Sequence, residues 1–185
     1  MTEMRSLCVY CGSRPGNEPR FLDAAEELGR LTAAAGMRLI YGGGDQGLMG
    51  STAASARDAG GAVLGVIPTF ITKTEGLLKG IPIIEVETMH ERKIRMFEEA
   101  DAVCALPGGI GTLEETIEIL SWASLKLHKK PIILCNIAGY WSPLVELIDH
   151  VNDFGFGYPG LREAITVVDS ASEVVAAAQK ALTEA

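Results

Sequence analysis

Short runs rich in apolar and β-branched residues alternate with segments of helical periodicity along the whole chain. The runs are Leu7–Tyr10, Arg38–Tyr41, Ala62–Ile67, Ile83–Val86, Ala102–Leu106, Ile132–Cys135 and Ile165–Val168. Between them, apolar residues recur at helical spacing over Pro19–Ala35, Leu48–Ala59, Met89–Ala100, Thr112–Leu127, Pro143–Asn152 and Ser172–Leu182. Only Pro68–Pro82 breaks the rhythm, reading as a loop or short helix. Alternation of this kind predicts βαβ units. The fold class is therefore α/β: a Rossmann-like, doubly wound parallel sheet with helices on both faces and right-handed crossovers. No repeat or linker interrupts it, so residues 1–185 are expected to form a single domain.

Ligands of such sheets bind outside the carboxyl ends of the strands, where the strand order reverses. Three glycine-rich segments fall on that edge. "CGSRPGN" follows the first strand, "GGGDQGLMG" the second, and "PGGIGT" the Ala102–Leu106 strand. One glycine loop is weak evidence; three on one edge predict a binding site.

Composition narrows the ligand. The chain has 185 residues, 48% hydrophobic and 22% charged, with a formal net charge of −8. That balance argues against a nucleic-acid polymer, which needs basic patches, but allows a small anion held by backbone N–H groups and one or two cations. No apolar run reaches the roughly 18 residues of a membrane helix. Met1–Tyr10 has too short an apolar stretch for a signal peptide, so the cytoplasm is expected. Cys8 and Cys11 form a lone C-x-x-C, but residues three apart on a strand face opposite sides and chelate poorly. His90, His128 and His150 show no ligand spacing, and no metal is expected.

Gly42–Gly47 fits G-x-G-x-x-G, which raises a dinucleotide site. That fingerprint also wants an acid at the end of the next strand. Here that strand ends Val66-Ile67-Pro68-Thr69 and supplies none. No Walker-type phosphate loop occurs.

"LPGGIGTLEETIEIL", residues 106–120, admits two readings. In the structural one, Thr112 and Glu115 form a T-x-x-E capping box, with acids in the first turn suiting the helix dipole. In the functional one, the N–H groups of Gly109, Gly111 and Thr112 hold a phosphate. Glu115 then lies a turn further on, at roughly 5 Å of rise, facing a ribose on which positive charge develops when a glycosidic bond breaks. The helix "TMHERKIRMFEEA" is similarly ambiguous. Glu91, Arg95, Glu98 and Glu99 share a polar face, and Met89, Met96, Phe97 and Ala100 an apolar one. Lys93 falls inside the apolar sector and Arg92 at its border. Their stems can snorkel to water, or both cations can point into the ligand edge. Placed near Glu115, Arg92 would keep that carboxylate ionised by lowering its pKa. Asp45 is a candidate proton donor to the leaving base, in competition with a helix-capping role.

With "PGGIGTLEE", "MHERK", "CGS" and "YGGGDQGLMG" in this order, the chain resembles the Lonely Guy (LOG) family from about Leu7 to Phe156. These are cytokinin riboside 5′-monophosphate phosphoribohydrolases, many of them long labelled lysine decarboxylases. The resemblance implies a Rossmann-like homodimer that hydrolyses the N-glycosidic bond of a nucleoside 5′-monophosphate to free base and ribose 5-phosphate, with no metal or organic cofactor. It implies Arg92 and Glu115 as the catalytic pair. The loop Gly109, Ile110, Gly111 and Thr112 would form the phosphate cradle, with Gly108 and Leu113 as flanking substrate-binding residues. Lys93, Glu114 and Ser121 would add ligand contacts, and Ser13 and the loop Gly42, Gly43 and Gly44 would line the nucleotide pocket, with Met89 nearby. Glu75 would sit in the segment Thr72–Gly80, which is shorter than the family's usual stretch and helps shape the base pocket. AMP and an N6-prenylated AMP both remain open as substrates. The rival readings are a non-catalytic carrier of a nucleotide or molybdenum cofactor and a single-strand DNA-binding protein, the latter opposed by the acidic charge.

Overall fold

The computed structural model describes residues 4–72, 76–158 and 160–184. Strands β1 (Ser6–Tyr10), β2 (Arg38–Tyr41), β3 (Val63–Pro68) and β4 (Ile83–Val86) enclose α1 (Pro19–Ala34) and α2 (Gly47–Asp58). Then follow α3 (Met89–Glu99), β5 (Ala102–Ala105), α4 (Ile110–Ser124), β6 (Ile132–Cys135), a 3-10 turn (Ile137–Gly139), α5 (Ser142–Asp153), β7 (Ile165–Val168) and α6 (Ala171–Glu184). All seven strands join one parallel sheet in the order β4-β3-β2-β1-β5-β6-β7. No helix among the described residues is long and apolar enough to cross a membrane.

The inner strands β1, β2, β3, β5 and β6 are buried on both faces, which is why they are largely apolar rather than alternating, while the edge strands β4 and β7 are partly exposed. On one face Leu7, Val9, Leu39, Tyr41 and Cys104 pack against Phe21, Leu28, Leu48, Ala53 and Val174 of α1, α2 and α6. On the other, Cys8, Tyr10, Ile40, Val66 and Val103 meet Met96, Ile119, Leu144 and Ile148 of α3, α4 and α5. The two thiols of the C-x-x-C motif part as strand geometry requires: Cys8 is sealed in this second core while Cys11 is only partly buried, and both are free thiols.

The topology sets the ligand edge. β1 lies between β2 and β5, so the chain reverses direction across the sheet at β1/β5 and their following loops diverge from a crevice. Two main-chain bonds join those loops: Leu106 N donates to Tyr10 O (2.9 Å) and Gly12 N to Pro107 O (3.1 Å).

Candidate active site

A cavity of about 500 Å³ opens at that crevice, within the range of small-molecule sites. The β1 loop lines it with Cys11–Asn17, the β5 loop with Pro107–Gly109, and α4 with Ile110–Thr112, Glu114 and Glu115. Gly42 and Arg92 complete the polar side, while Phe21, Leu48, Met49, Met89, Met96 and Tyr140 supply apolar walls.

Helix α4 begins two residues before the sequence pattern places it. Its N-cap is Gly109, in extended backbone (φ −83°, ψ −161°), and no side chain caps it. This corrects the capping-box reading. Thr112 is already in the first turn, Glu114 and Glu115 lie in the second, and the first turn carries no acid. The T-x-x-E device operates instead on α3, where the Thr88 hydroxyl accepts from Glu91 N (3.1 Å). The first N–H groups of a helix have no intrahelical acceptor. On α4 those of Ile110, Gly111 and Thr112 belong to residues lining the cavity, an arrangement that, with the helix dipole behind it, favours negative charge.

Glu115 sits deeper along the same helix. Burial pushes its carboxyl up to about 7 from an ordinary 4.5, and the nearby Arg92 guanidinium opposes that rise without cancelling it. The expected lowering is therefore corrected: desolvation outweighs the favourable charge. Arg92 is also held differently from a bidentate ion pair. Its Nε donates to Val66 O (3.2 Å) and its Nη2 to Gly42 O (2.8 Å), main-chain carbonyls within β3 and just beyond the end of β2. Among the described residues it has no carboxylate within ion-pair distance. Gly42 is required here, because a Cβ would stand 2.0 Å from Nη2.

Lys93 does not line the cavity. Its ammonium bridges α3 to α4 through Glu114 (2.5 Å) and Glu118 (2.9 Å). Burial disfavours the charged ammonium, but those two carboxylates outweigh it and raise the lysine pKa. Gly43 packs against Ile67, and neither it nor Gly44 reaches the cavity wall. Leu113 packs into the core behind α4, and Ser121 lies on the exposed side of that helix. Asp45 is exposed and outside the cavity lining, and α2 has no side-chain cap. Ser13, Met89, Gly108–Thr112, Glu114, Glu115 and Arg92 are brought together. Glu75 lies outside the described residues.

Sequence reasoning passed over Arg14, Asn17, Phe21 and Tyr140, all of which line the cavity. The rule that placed the glycine loops could have found Tyr140, since the loop after β6 emerges on the same edge. Phe21 belongs to α1 and carries no motif signal.

Comparison with known proteins identifies the family. The family model described as "possible lysine decarboxylase" matches residues 49–178. The cytokinin riboside 5′-monophosphate phosphoribohydrolase LOG of Oryza sativa subsp. japonica is 43% identical over 177 residues, covering 94% of this chain and 72% of that protein. The enzyme of the same name designated LOG3 from Arabidopsis thaliana is 41% identical over 177 residues, covering 94% and 81%. Among solved structures, the molybdenum cofactor carrier protein of Chlamydomonas reinhardtii superposes with a TM-score of 0.75 at 20% identity, covering 98% of this chain and 99% of that one. At that identity the likeness is one of fold.

Proposed function

This chain belongs to the Lonely Guy (LOG) family, and from that premise we propose that it hydrolyses the N-glycosidic bond of cytokinin riboside 5′-monophosphates and of AMP. One observation carries the reading: an uncapped helix N-terminus and a deeply set carboxylate occupy successive turns of α4 in one cavity. The phosphate sits on the N–H groups of Ile110, Gly111 and Thr112, which places the ribose toward Glu115. As the bond from C1′ to the base nitrogen breaks, its electron pair leaves with the base and C1′ becomes oxocarbenium-like. Ionised Glu115 stabilises that charge. Water then adds at C1′ and its proton goes to the Glu115 carboxylate, whose pKa near 7 suits it to take that proton and release it to solvent. The departed base takes one proton from solvent in turn, which closes the balance. The products are free base and ribose 5-phosphate. Arg92, fixed by two carbonyls, supplies positive charge that holds Glu115 ionised through more of the neutral range.

The apolar wall of Phe21, Leu48, Met49, Met89 and Met96 offers room for an N6 hydrocarbon substituent. Incubation with AMP and with isopentenyladenosine monophosphate, followed by chromatography, tests both parts. Free base and ribose 5-phosphate are expected in equal amounts, with the prenylated nucleotide turned over faster. A nucleotide that binds but yields no base would instead favour the carrier reading.

The reading includes a homodimer and a cytoplasmic location. Ile110, Ile117 and Leu125 recur along one face of α4 at 84%, 45% and 54% exposure, an apolar stripe of the kind helices bury. Sedimentation equilibrium is expected to give twice the chain mass, and Ile117→Glu to shift it toward monomer. A wild-type monomer at micromolar concentration would remove this part. All four thiols are free, as suits a reducing compartment.

A further inference from the structure

Three consecutive carbonyls at the head of α4 are held by three different parts of the fold. Pro107 O accepts from Gly12 N of the β1 loop (3.1 Å), and Gly109 O from Leu113 N within α4 (3.0 Å). Between them, Gly108 O accepts from the hydroxyl of Tyr140, which comes from the loop after β6. In a planar trans peptide the carbonyl and the following N–H point in opposite directions. Holding a carbonyl on one side therefore aims the next N–H to the other. The Gly108–Gly109 peptide joins two glycines, the residues that rotate with least steric resistance, and its carbonyl is the one of the three held by a side chain.

Tyr140 is itself braced on several sides. Its ring stands edge-on to Phe21 (5.6 Å between centroids) and to Trp141 (5.1 Å). Asn136 accepts from Trp141 N through Oδ1 (2.7 Å) and donates through Nδ2 to Ser142 Oγ (3.2 Å), closing the turn beneath it. Trp141 is fully buried, and its Nε1 donates to Ala105 O (3.0 Å). The β6 loop thus grips the β5 segment at Ala105 and again at Gly108, on either side of Leu106 and Pro107.

We infer that Tyr140 is a positioning residue for the substrate phosphate, acting through the Gly108–Gly109 peptide rather than on the reacting atoms. It locks that peptide so that the Gly109 N–H joins those of α4 in the cradle. The inference rests on the reading of the α4 N-terminus as a phosphate site, and it extends that site to a residue on a separate loop.

Tyr140→Phe removes the hydroxyl and leaves the ring. Calorimetric titration is expected to show ribose 5-phosphate binding about five- to tenfold more weakly, the scale of one hydrogen bond. KM for the nucleotide rises in step, kcat stays within about twofold, and the affinity for free adenine is unchanged. Unchanged ribose 5-phosphate affinity, or an equal loss for adenine, would overturn the inference, the second outcome marking a general loosening. Failure of the cradle reading itself shows in the wild type: adenosine bound and hydrolysed as well as AMP would remove both. A measurement without any variant covers the case in which Tyr140→Phe does not fold. In wild-type protein the Tyr140 hydroxyl proton is expected to exchange slowly with water by NMR, and ribose 5-phosphate to shift the Gly109 amide. A rapidly exchanging hydroxyl proton with an unmoved Gly109 amide overturns the proposal.

Discussion

Glu115→Gln is expected to lower turnover about a thousandfold while leaving nucleotide affinity within a few fold, since it removes charge where the transition state gains it. Glutamine keeps the shape and one carbonyl oxygen but can neither carry the charge nor accept water's proton. The wild-type enzyme should gain kcat/KM as pH rises through about 7, where Glu115 ionises, and that limb should vanish in the variant. Stability should move the other way. A carboxyl whose folded pKa is raised from 4.5 to about 7 favours the native state when protonated, and this contribution is lost as pH rises through the folded value. Above pH 7 the wild type therefore carries an unfavourable buried charge. The full shift corresponds to on the order of 3 kcal/mol; because the carboxylate is open to the cavity, about 1–2 kcal/mol is expected after screening. Thermal melts at pH 8 should show Glu115→Gln more stable than wild type, with the gap closing toward pH 5. Wild-type turnover in the variant, or a pH profile flat through 7 in the wild type, would remove Glu115 from the chemistry.

The second large effect is expected at Arg92. Truncation to alanine deprives Glu115 of its nearest favourable charge, so the carboxyl rises further and the pH limb shifts upward as turnover falls more than a hundredfold. It also removes the guanidinium bonds to Gly42 O and Val66 O, costing about 1–3 kcal/mol of stability. Lysine separates the two contributions. An ammonium keeps the charge but lacks the planar fork that spans both carbonyls. Arg92→Lys should keep the limb near its wild-type position while turnover still falls about tenfold or more. The comparison is a set of pH–rate profiles from 6 to 9 for the three proteins. Identical profiles would mean that Arg92 does not act through Glu115.

Much of the fold was legible because burial on both sheet faces leaves a loud apolar signal in the inner strands. Four strands, Arg38–Tyr41, Ile83–Val86, Ile132–Cys135 and Ile165–Val168, have the boundaries their composition suggests. The site was less legible, for three physical reasons. T-x-x-E at 112–115 looks the same in sequence as T-x-x-E at 88–91, yet only Thr88 caps a helix. The difference lies in Gly109, whose extended backbone starts α4 early. The direction of the Glu115 shift was misjudged because a motif reveals neighbours but not depth. And Lys93, an apolar-sector cation in either reading, is committed to Glu114 and Glu118, partners on another helix that helical periodicity cannot see. Tyr140 escaped for the same reason: its significance lies in Gly108 O, which is 32 residues away.

The position of β1 has a consequence for synthesis. It is the first strand made, yet one of its two neighbours, β5, is the fifth strand and follows about a hundred residues later. The Ser6–Asp101 bond beside that pairing spans 95 residues. At about 5–20 residues per second on the ribosome, one edge of the central strand stays unpaired for roughly 5–20 seconds after it emerges. An exposed apolar edge is a template for pairing with another nascent chain. The molecule's most vulnerable interval therefore comes before α4 and its Glu115 are made, and chaperone demand during translation should fall on the first hundred residues rather than on the segment that carries Glu115.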